Sequence, residues 1–367
     1  MGKKIFKITL WTLLSLLLLV VLVLGGYVIY LSVQYYRIED NKVLEISNEK
    51  ADLVSLNQNY TISTYNIGFG AYTHDFSFFM DTGEMLDGTK TKGTGSKAKD
   101  KETVLTNTNG AIGVIDSLNA DFMFFQEVDV KATRSYKVNQ LNMLQEHFTN
   151  HSNTFAYNFH SAFLFYPLTD PHGATDAGIA TFSKYKIDSS VRRSFPIDNG
   201  FFAKFFDLDR CFSVNRLKIN GSEKELVLIN LHMSAYDEGG LIRAEQLKLL
   251  NSVLQEEQQK GNYVIAGGDF NHDIANSIGL FETKEKQPEW VYSMTDEQLA
   301  EGYSFASATN APTCRSTDIA YTKGVNFSVV LDGFIVSNNV QVVGVTNIDT
   351  DFEFSDHNPV KCEFKLV

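Results

Sequence analysis

The sequence predicts an α/β protein built on mixed β-sheets, carried behind one N-terminal transmembrane helix. Three observations lead there. Residues 8–31 run without a single charge. From residue 60 onward, β-like apolar runs outnumber helical patterns and do not alternate strictly with them, which argues for mixed sheets over a doubly wound parallel one. Short polar clusters then close many of those runs: Tyr65-Asn66, Gln126-Glu127, Asn230-Leu231-His232, Gly268-Asp269-Phe270-Asn271, Leu331-Asp332-Gly333 and Ser355-Asp356-His357-Asn358-Pro359.

Residues 1–7 carry Lys3, Lys4 and Lys7, and the run 8–31 follows, rich in Leu and Val. Twenty-odd residues at about 1.5 Å each span a hydrocarbon core of roughly 30 Å. Trp11 near one end, and Tyr27, Tyr30, Tyr35 and Tyr36 near the other, suit the two interfaces. The run exceeds the 7–15 residues or so of a signal-peptide core, and bulky residues follow Gly25-Gly26, so an uncleaved anchor is expected. Lysines before it and Glu39 and Asp40 after it place residues 1–7 in the cytoplasm and the body outside the cytoplasm, as a single-pass protein of the cell membrane.

Residues 32–59 read as a stalk or linker, with 38–59 alternatively a leading edge strand, and residues 60–367 as the body. Tyr60 to Tyr65 alternate as a half-buried strand that delivers Asn66. The stretch 83–102, rich in Gly, Thr and Lys, reads as a mobile basic loop. A helix is expected at about 103–118, followed by the buried strand Phe122-Met123-Phe124-Phe125. Further strands are expected near 155–166, 177–182, 211–219, 225–231, 262–267, 329–336 and 360–366. A second helix at about 240–259 carries Leu247, Leu250 and Leu254 on one face and ends at Gly261.

The clusters point to metal-assisted phosphate chemistry. A carboxylate and an amide oxygen, Glu127 and Asn66, are hard ligands of the kind that suit Mg²⁺ or Mn²⁺. A Gly-Gly turn exposes Asp269 and Asn271 on one side of the chain. Asp269, Asn271 and Asp273 also mimic the start of an EF-hand, but Ile274 and Leu280 stand where that loop needs Gly and Glu. Asp356 beside His357 could fix an imidazole tautomer for general-base work. His232 closes its strand where an imidazole could stabilise charge on phosphorus. Zinc, serine-hydrolase and nucleotide-loop signatures are absent from the sequence.

Bulk properties narrow the partners. The 367 residues are 44% hydrophobic and 13% aromatic, ample for a large core. Net charge is −12, and because three lysines precede the anchor the remainder is more acidic still, about −15. Such a body repels nucleic-acid backbones at long range. Cys211, Cys314 and Cys362 lack metal-like spacing and read as buried thiols.

Taken in order, and with Gly178-Ile179-Ala180-Thr181-Phe182-Ser183-Lys184-Tyr185 added, these clusters resemble the endonuclease/exonuclease/phosphatase superfamily, as a membrane-anchored, bacterial-type member. That group includes exonuclease III-type and pancreatic-type nucleases and neutral sphingomyelinases. The resemblance implies a four-layer α/β sandwich of two packed mixed sheets with outer helices. It implies a divalent metal, Mg²⁺ or Mn²⁺, held by Glu127 with Asn66 and with Asp356 as a further partner of the metal site. It also implies that Asp269 activates water, Asn271 contacts phosphate, His232 stabilises the transition state, Asp356 orients His357, and Asp332 lies near the leaving group. The Cys-Asp-Arg run of inositol polyphosphate 5-phosphatases is missing.

The expected activity is therefore Mg²⁺-dependent phosphoester hydrolysis by a membrane-tethered enzyme. Aromatic insertions, Phe76 to Met80 and Phe201 to Phe206, favour a lipid head group or another non-nucleic-acid phosphodiester. An extracellular nuclease stays open, with Lys90, Lys92, Lys97, Lys99, Lys101, Lys131 and Arg134 as its groove. So does a non-catalytic receptor on the same fold.

Overall fold

Two parallel strand pairs frame the molecule. In the computed structural model, which describes residues 2–198, 200–201, 203–206, 208–235 and 241–367, Asn59–Asn66 runs parallel to Phe122–Asp129, and Glu225–His232 runs parallel to Tyr263–Asp269. Parallel neighbours require a crossover, and each pair has a helical one. The first is Lys101–Ser117, whose N-terminus is capped by Asp100 accepting the Thr103 N–H at 2.7 Å. The second is Leu241–Lys260. Residue 240, where that helix was expected to start, lies outside the described residues.

Each pair sits inside a seven-stranded mixed sheet. One sheet has the order Val340–Asn347, Val360–Leu366, Asn59–Asn66, Phe122–Asp129, Gly173–Ser183, Ser152–Leu164, Ile46–Ser47. The other runs Lys42–Val43, Ser189–Ser194, Cys211–Lys218, Glu225–His232, Tyr263–Asp269, Asp332–Ser337, Tyr303–Ala306. Inner faces meet through Tyr60, Ile62, Phe122 and Phe124 against Leu226, Leu228, Ile265 and Phe334. Outside the first sheet, Ala111, Ile112 and Ile115 pack on Met123, Phe125 and Phe182. Outside the second, Leu250, Val253 and Leu254 pack on Val227, Ile229 and Val264. The result is the four-layer α/β sandwich expected from the sequence.

The strand ends are brought into register by this pairing. His232 stands opposite Asp269, Asp269 opposite Asp332, and Asn66 opposite Gln126. A polar bridge ties the sheets near that end, with Gln126 Nε2 donating to Asn230 Oδ1 at 2.8 Å. Every cluster that closes an apolar run therefore arrives at one rim of the sandwich.

Three segments differ from expectation. Residues 83–102 form an ordered, pinned structure instead of a mobile loop. Thr82–Glu84 pairs with Lys90–Lys92, Glu84 takes both Lys90 and Lys286, and Lys97 meets Asp170 at 2.5 Å. Composition signals disorder only when the charges stay solvated, and here distant carboxylates collect them. Residues 38–59 take the edge-strand form and not that of a free stalk: Lys42–Val43 adds an edge strand to one sheet and Ile46–Ser47 to the other, with Leu44 and Val54 buried. The sequence also gave no warning of the helix Gln140–His147.

The N-terminal segment is one helix, Gly2–Gln34, long and apolar enough to cross a membrane. Its hydrophobic side chains from Ile5 to Leu24 are exposed. Near its end it turns onto the body: Leu31 is buried against Leu164 and Phe205.

Candidate active site

Asn66 occupies the centre of the polar rim. Its Oδ1 accepts the Gly68 N–H at 3.0 Å, while its Nδ2 donates to Asp269 Oδ2 at 3.0 Å and approaches Glu127 Oε1 at 3.4 Å. Asn66 thus offers its nitrogen, not its oxygen, to the carboxylates around it. Gly68 makes the turn beyond it possible. Its φ is +51°, and a Cβ there would meet Tyr72 Cδ2 at 2.5 Å and Asp356 Oδ1 at 2.9 Å.

Glu127 is aimed by strain. Its φ is +55°, within an irregularity of pairing between Phe125 and Val128. A bulge turns a side chain that would otherwise alternate across the sheet, and such devices gather at sites. Burial pushes the Glu127 carboxyl up from the usual range, Arg134 pulls it back, and the Asp356 carboxylate pushes it further up. Burial also raises Asp356, against the pull of His357 and Arg315.

A second group of acids lies beside these. Asp269 Oδ1 accepts the Asn271 N–H at 2.8 Å, and its Oδ2 stands 3.4 Å from His232 Nε2 and 3.6 Å from His357 Nε2. Ligand atoms of Asp269, Asp332 and His357 all fall within 4.8 Å of one another, a cluster that could hold a metal ion. His357 takes its partner from an unexpected place. Its Nδ1 lies 2.8 Å from Asp332 Oδ2, whereas the adjacent Asp356 accepts from Ser355 Oγ at 3.2 Å. The expected pairing of His357 with the adjacent Asp356 is therefore replaced by a partner on the strand Asp332–Ser337.

The electrostatics follow from burial and neighbours. Burial works against the His357 imidazolium, but Asp332, Cys314 and Asp269 outweigh it and hold its pKa well above the ordinary value. His232 goes the other way: burial, and then the Arg210 charge, press it well below the ordinary value, so it is neutral near pH 7. Its Nδ1 has no hydrogen-bond partner. Asn271, in a left-handed conformation at φ +51°, spends its Nδ2 on Met233 O at 2.9 Å.

Three arginines complete the cleft. Arg134 is paired with Asp129 at 2.8 Å and lies 4.0 Å over the Phe69 ring. Arg315 is buried, with its Nε unpartnered. Arg210 is buried as well, and both its Nε and Nη1 lack partners. Arg210 and Arg315 escaped the sequence reading. The available signal was slight: Arg210 is a lone cation just before the apolar strand Cys211–Lys218, and Arg315 ends the two-residue strand Cys314–Arg315.

These groups floor a cleft of about 400 Å³ whose walls are Phe69, Tyr72, Phe79, Leu164, Phe206 and Leu208, among others. The donor set fits a hard divalent cation. Glu127 and Asp356 are half-buried carboxyls that line the cleft, and the Asp356 charge raises the proton affinity of Glu127. A cation held by Glu127 and Asp356 would relieve that repulsion. Asp273, the third acid of the apparent EF-hand start, is instead spent on the N–H groups of Ala275, Ser277 and Ile278.

The family model for the endonuclease/exonuclease/phosphatase family matches residues 64–357, from the strand that delivers Asn66 to His357 itself. The chain belongs to that family. Its members are phosphoester hydrolases that use divalent metals. A curated relative, an inositol phosphosphingolipids phospholipase C of Schizosaccharomyces pombe, is 26% identical over 215 residues, covering 52% of this chain and 46% of the relative. The chain thus spans about half the length of that relative. Among solved structures, a family protein from Beutenbergia cavernae superposes with a TM-score of 0.56 at 15% identity, over 84% of this chain and 72% of the other. The human Nocturnin catalytic domain gives 0.51 at 16% identity, over 86% and 97%. TDP2 from Caenorhabditis elegans gives 0.51 at 14%, over 84% and 75%. At these identities the family fold is what the structures share.

Proposed function

We propose that the chain is a membrane-tethered, Mg²⁺-dependent phosphodiesterase that hydrolyses the head-group phosphodiester of a membrane lipid outside the cytoplasm. The observation that carries this reading is the cleft itself. A floor of carboxylates, imidazoles and arginines passes directly into apolar walls, which matches a charged head group on a hydrophobic body. The phosphosphingolipid named in the relative from Schizosaccharomyces pombe has that chemistry. Lys90, Lys97 and Arg134, three cations of the nuclease groove expected from sequence, are engaged in ion pairs within the body. That disfavours nucleic acid.

Glu127 and Asp356 would hold the metal, with Asn66 keeping Glu127 and Asp269 in place. The bound cation would supply Lewis-acid polarisation of a phosphoryl oxygen. Asp269, fixed by Asn66 and the Asn271 N–H, orients water and accepts its proton as the oxygen attacks phosphorus. His357, kept protonated by Asp332, donates Nε2–H toward the phosphate. Neutral His232 and the unpaired N–H groups of Arg210 face the charge that develops on the phosphoryl oxygens. The phosphorus–oxygen bond to the lipid breaks, the leaving oxygen takes the proton of His357 Nε2, and Asp269, 3.6 Å away, returns to His357 the proton it took from water. Asn271 borders the same cleft and would contact the phosphate.

The full chain in detergent–lipid micelles with Mg²⁺ is to be assayed against phosphosphingolipid, phosphatidylcholine and plasmid DNA, beside a Glu127→Ala control. Release of a phosphorylated head group, abolished in the control, is the expected result. Nicking of DNA without lipid turnover would replace the reading with a nuclease. No turnover of any of the three would point to the non-catalytic receptor.

A further inference from the structure

We propose that the rim of the cleft beside the anchor helix is a membrane-docking surface, so that the cleft opens into the bilayer leaflet instead of into bulk water. This rests on the reading of Gly2–Gln34 as a membrane span. The body does not hang from that helix on a free tether. Tyr27 Oη donates to Phe163 O at 3.1 Å and accepts the Phe165 N–H at 3.2 Å, and Tyr30 Oη accepts the Phe163 N–H at 3.1 Å. The Tyr27 and Phe165 rings meet edge to face at 5.5 Å, and those of Tyr35 and Phe205 at 5.7 Å. Just past the helix, Arg37 pairs with Asp209 at 2.9 Å, and the Ile38 N–H donates to the same carboxylate at 2.6 Å.

These contacts fix a depth. Tyr27 lies four residues before Leu31, the last residue of the apolar stretch ahead of Ser32, which is about 6 Å along a helix. Whatever touches Tyr27 sits at that level, within the boundary between head groups and acyl chains. The segment that does so is built for it. Phe165, Tyr166 and Leu168 are 51%, 56% and 85% exposed, and Phe201, whose ring meets that of Phe205, is 54% exposed. Phe202, part of the same aromatic cluster in the sequence, lies outside the described residues. Free backbone polar groups are costly in an apolar medium. Both backbone groups of Phe163 and the Phe165 N–H are satisfied by the anchor's own tyrosine hydroxyls. Lys204, stacked 5.2 Å from the Tyr35 ring and 4.9 Å from those of Phe201 and Phe205, fits the level of anionic head groups.

The same segments form the cleft wall. Leu164, Tyr166, Phe206 and Leu208 line it, and Arg210 lies beyond them beside His232. A lipid could therefore leave its chains among Leu164, Tyr166 and Phe206 while its phosphate reached Arg210, without being lifted out of the leaflet. The occupant of this surface is a lipid bilayer.

The test is spin-label accessibility on the full chain in phosphatidylcholine vesicles. All three native cysteines are buried, so a single introduced cysteine takes the label. Leu168→Cys, in the connection after Ser152–Leu164, is compared with Val343→Cys on Val340–Asn347, an edge strand five strand spacings or about 24 Å from Ser152–Leu164. For the label at 168, collision with oxygen relative to a water-soluble nickel chelate should exceed that at 343 by about tenfold. Equal ratios at the two positions would overturn the docking surface. Phe201→Cys gives an independent reading from a second exposed aromatic of the same surface if the first variant folds poorly. The proposed function fails separately. A buried label on a preparation that hydrolyses no lipid leaves the docking surface standing and removes the lipid phosphodiesterase.

Discussion

Replacing Asp332 by Asn deletes a charge while keeping the shape of the side chain. Asp332 and His357 are both buried, and the 2.8 Å contact between Oδ2 and Nδ1 is the strongest bond His357 makes. Burial pushes Asp332 up to about 6, against the pull of His357, so the carboxylate remains ionised at neutral pH. A buried, charge-assisted hydrogen bond contributes about 2–3 kcal/mol. If the amide forfeits that support when charge develops on phosphorus, kcat falls by about 30- to 150-fold, at 1.4 kcal/mol per factor of ten. KM should hardly change, because Asp332 is absent from the cleft lining and acts only through His357. Initial rates on mixed micelles over a substrate series give the two parameters separately, and a thermal melt controls for folding. A kcat within about threefold of the parent, with melting unchanged, would refute the Asp332–His357 pairing as the device that holds the imidazole.

Two further outcomes follow from named contacts. Arg210→Ala should raise KM by about 10- to 100-fold, the value of charge-assisted hydrogen bonds from its two unpartnered N–H groups, and Arg210→Lys should recover part of the loss; substrate titrations of the three proteins check this. Glu257 tests pH dependence away from the cleft: burial opposes its ionisation, yet Arg216, Lys260 and Asn262 hold it at about 2 against an ordinary 4.5. Its folded value is depressed, so its stabilisation is complete above about pH 4.5 and disappears as pH falls through 2. Glu257→Gln should cost on the order of 2–3 kcal/mol at pH 7 and much less near pH 2, read from urea denaturation at both.

The sheets were legible because their information is local. Tyr60 to Tyr65 alternates, Phe122 to Phe125 is continuously apolar, and both patterns survive folding as Asn59–Asn66 and Phe122–Asp129. The places of Asn66, His232 and Asp269 were legible for the same reason, since each ends such a strand. What stayed hidden depends on partners far away in sequence. The pairing of His357 with Asp332 instead of Asp356 is set by strand register. The order of residues 83–102 comes from Asp170, Lys286 and Asp318, and no window around Lys90 contains them. Arg210 reads as an ordinary surface cation until the chain closes over it. The orientation of Asn66, nitrogen toward the acids, hangs on the Gly68 N–H, a backbone detail that side-chain identity does not encode.

The pairing of Val360–Leu366 with Asn59–Asn66 has a consequence for biosynthesis. Asn66 and His357 face each other at 3.5 Å although 291 positions separate them in sequence. A growing chain therefore reaches a working site only after nearly the whole body has emerged, and long-range strand pairing is slow to close. A hydrolase threaded through a membrane by its leading helix would remain chemically silent throughout its passage. Activity would switch on at the destination, timed by topology alone, with no inhibitory segment to remove.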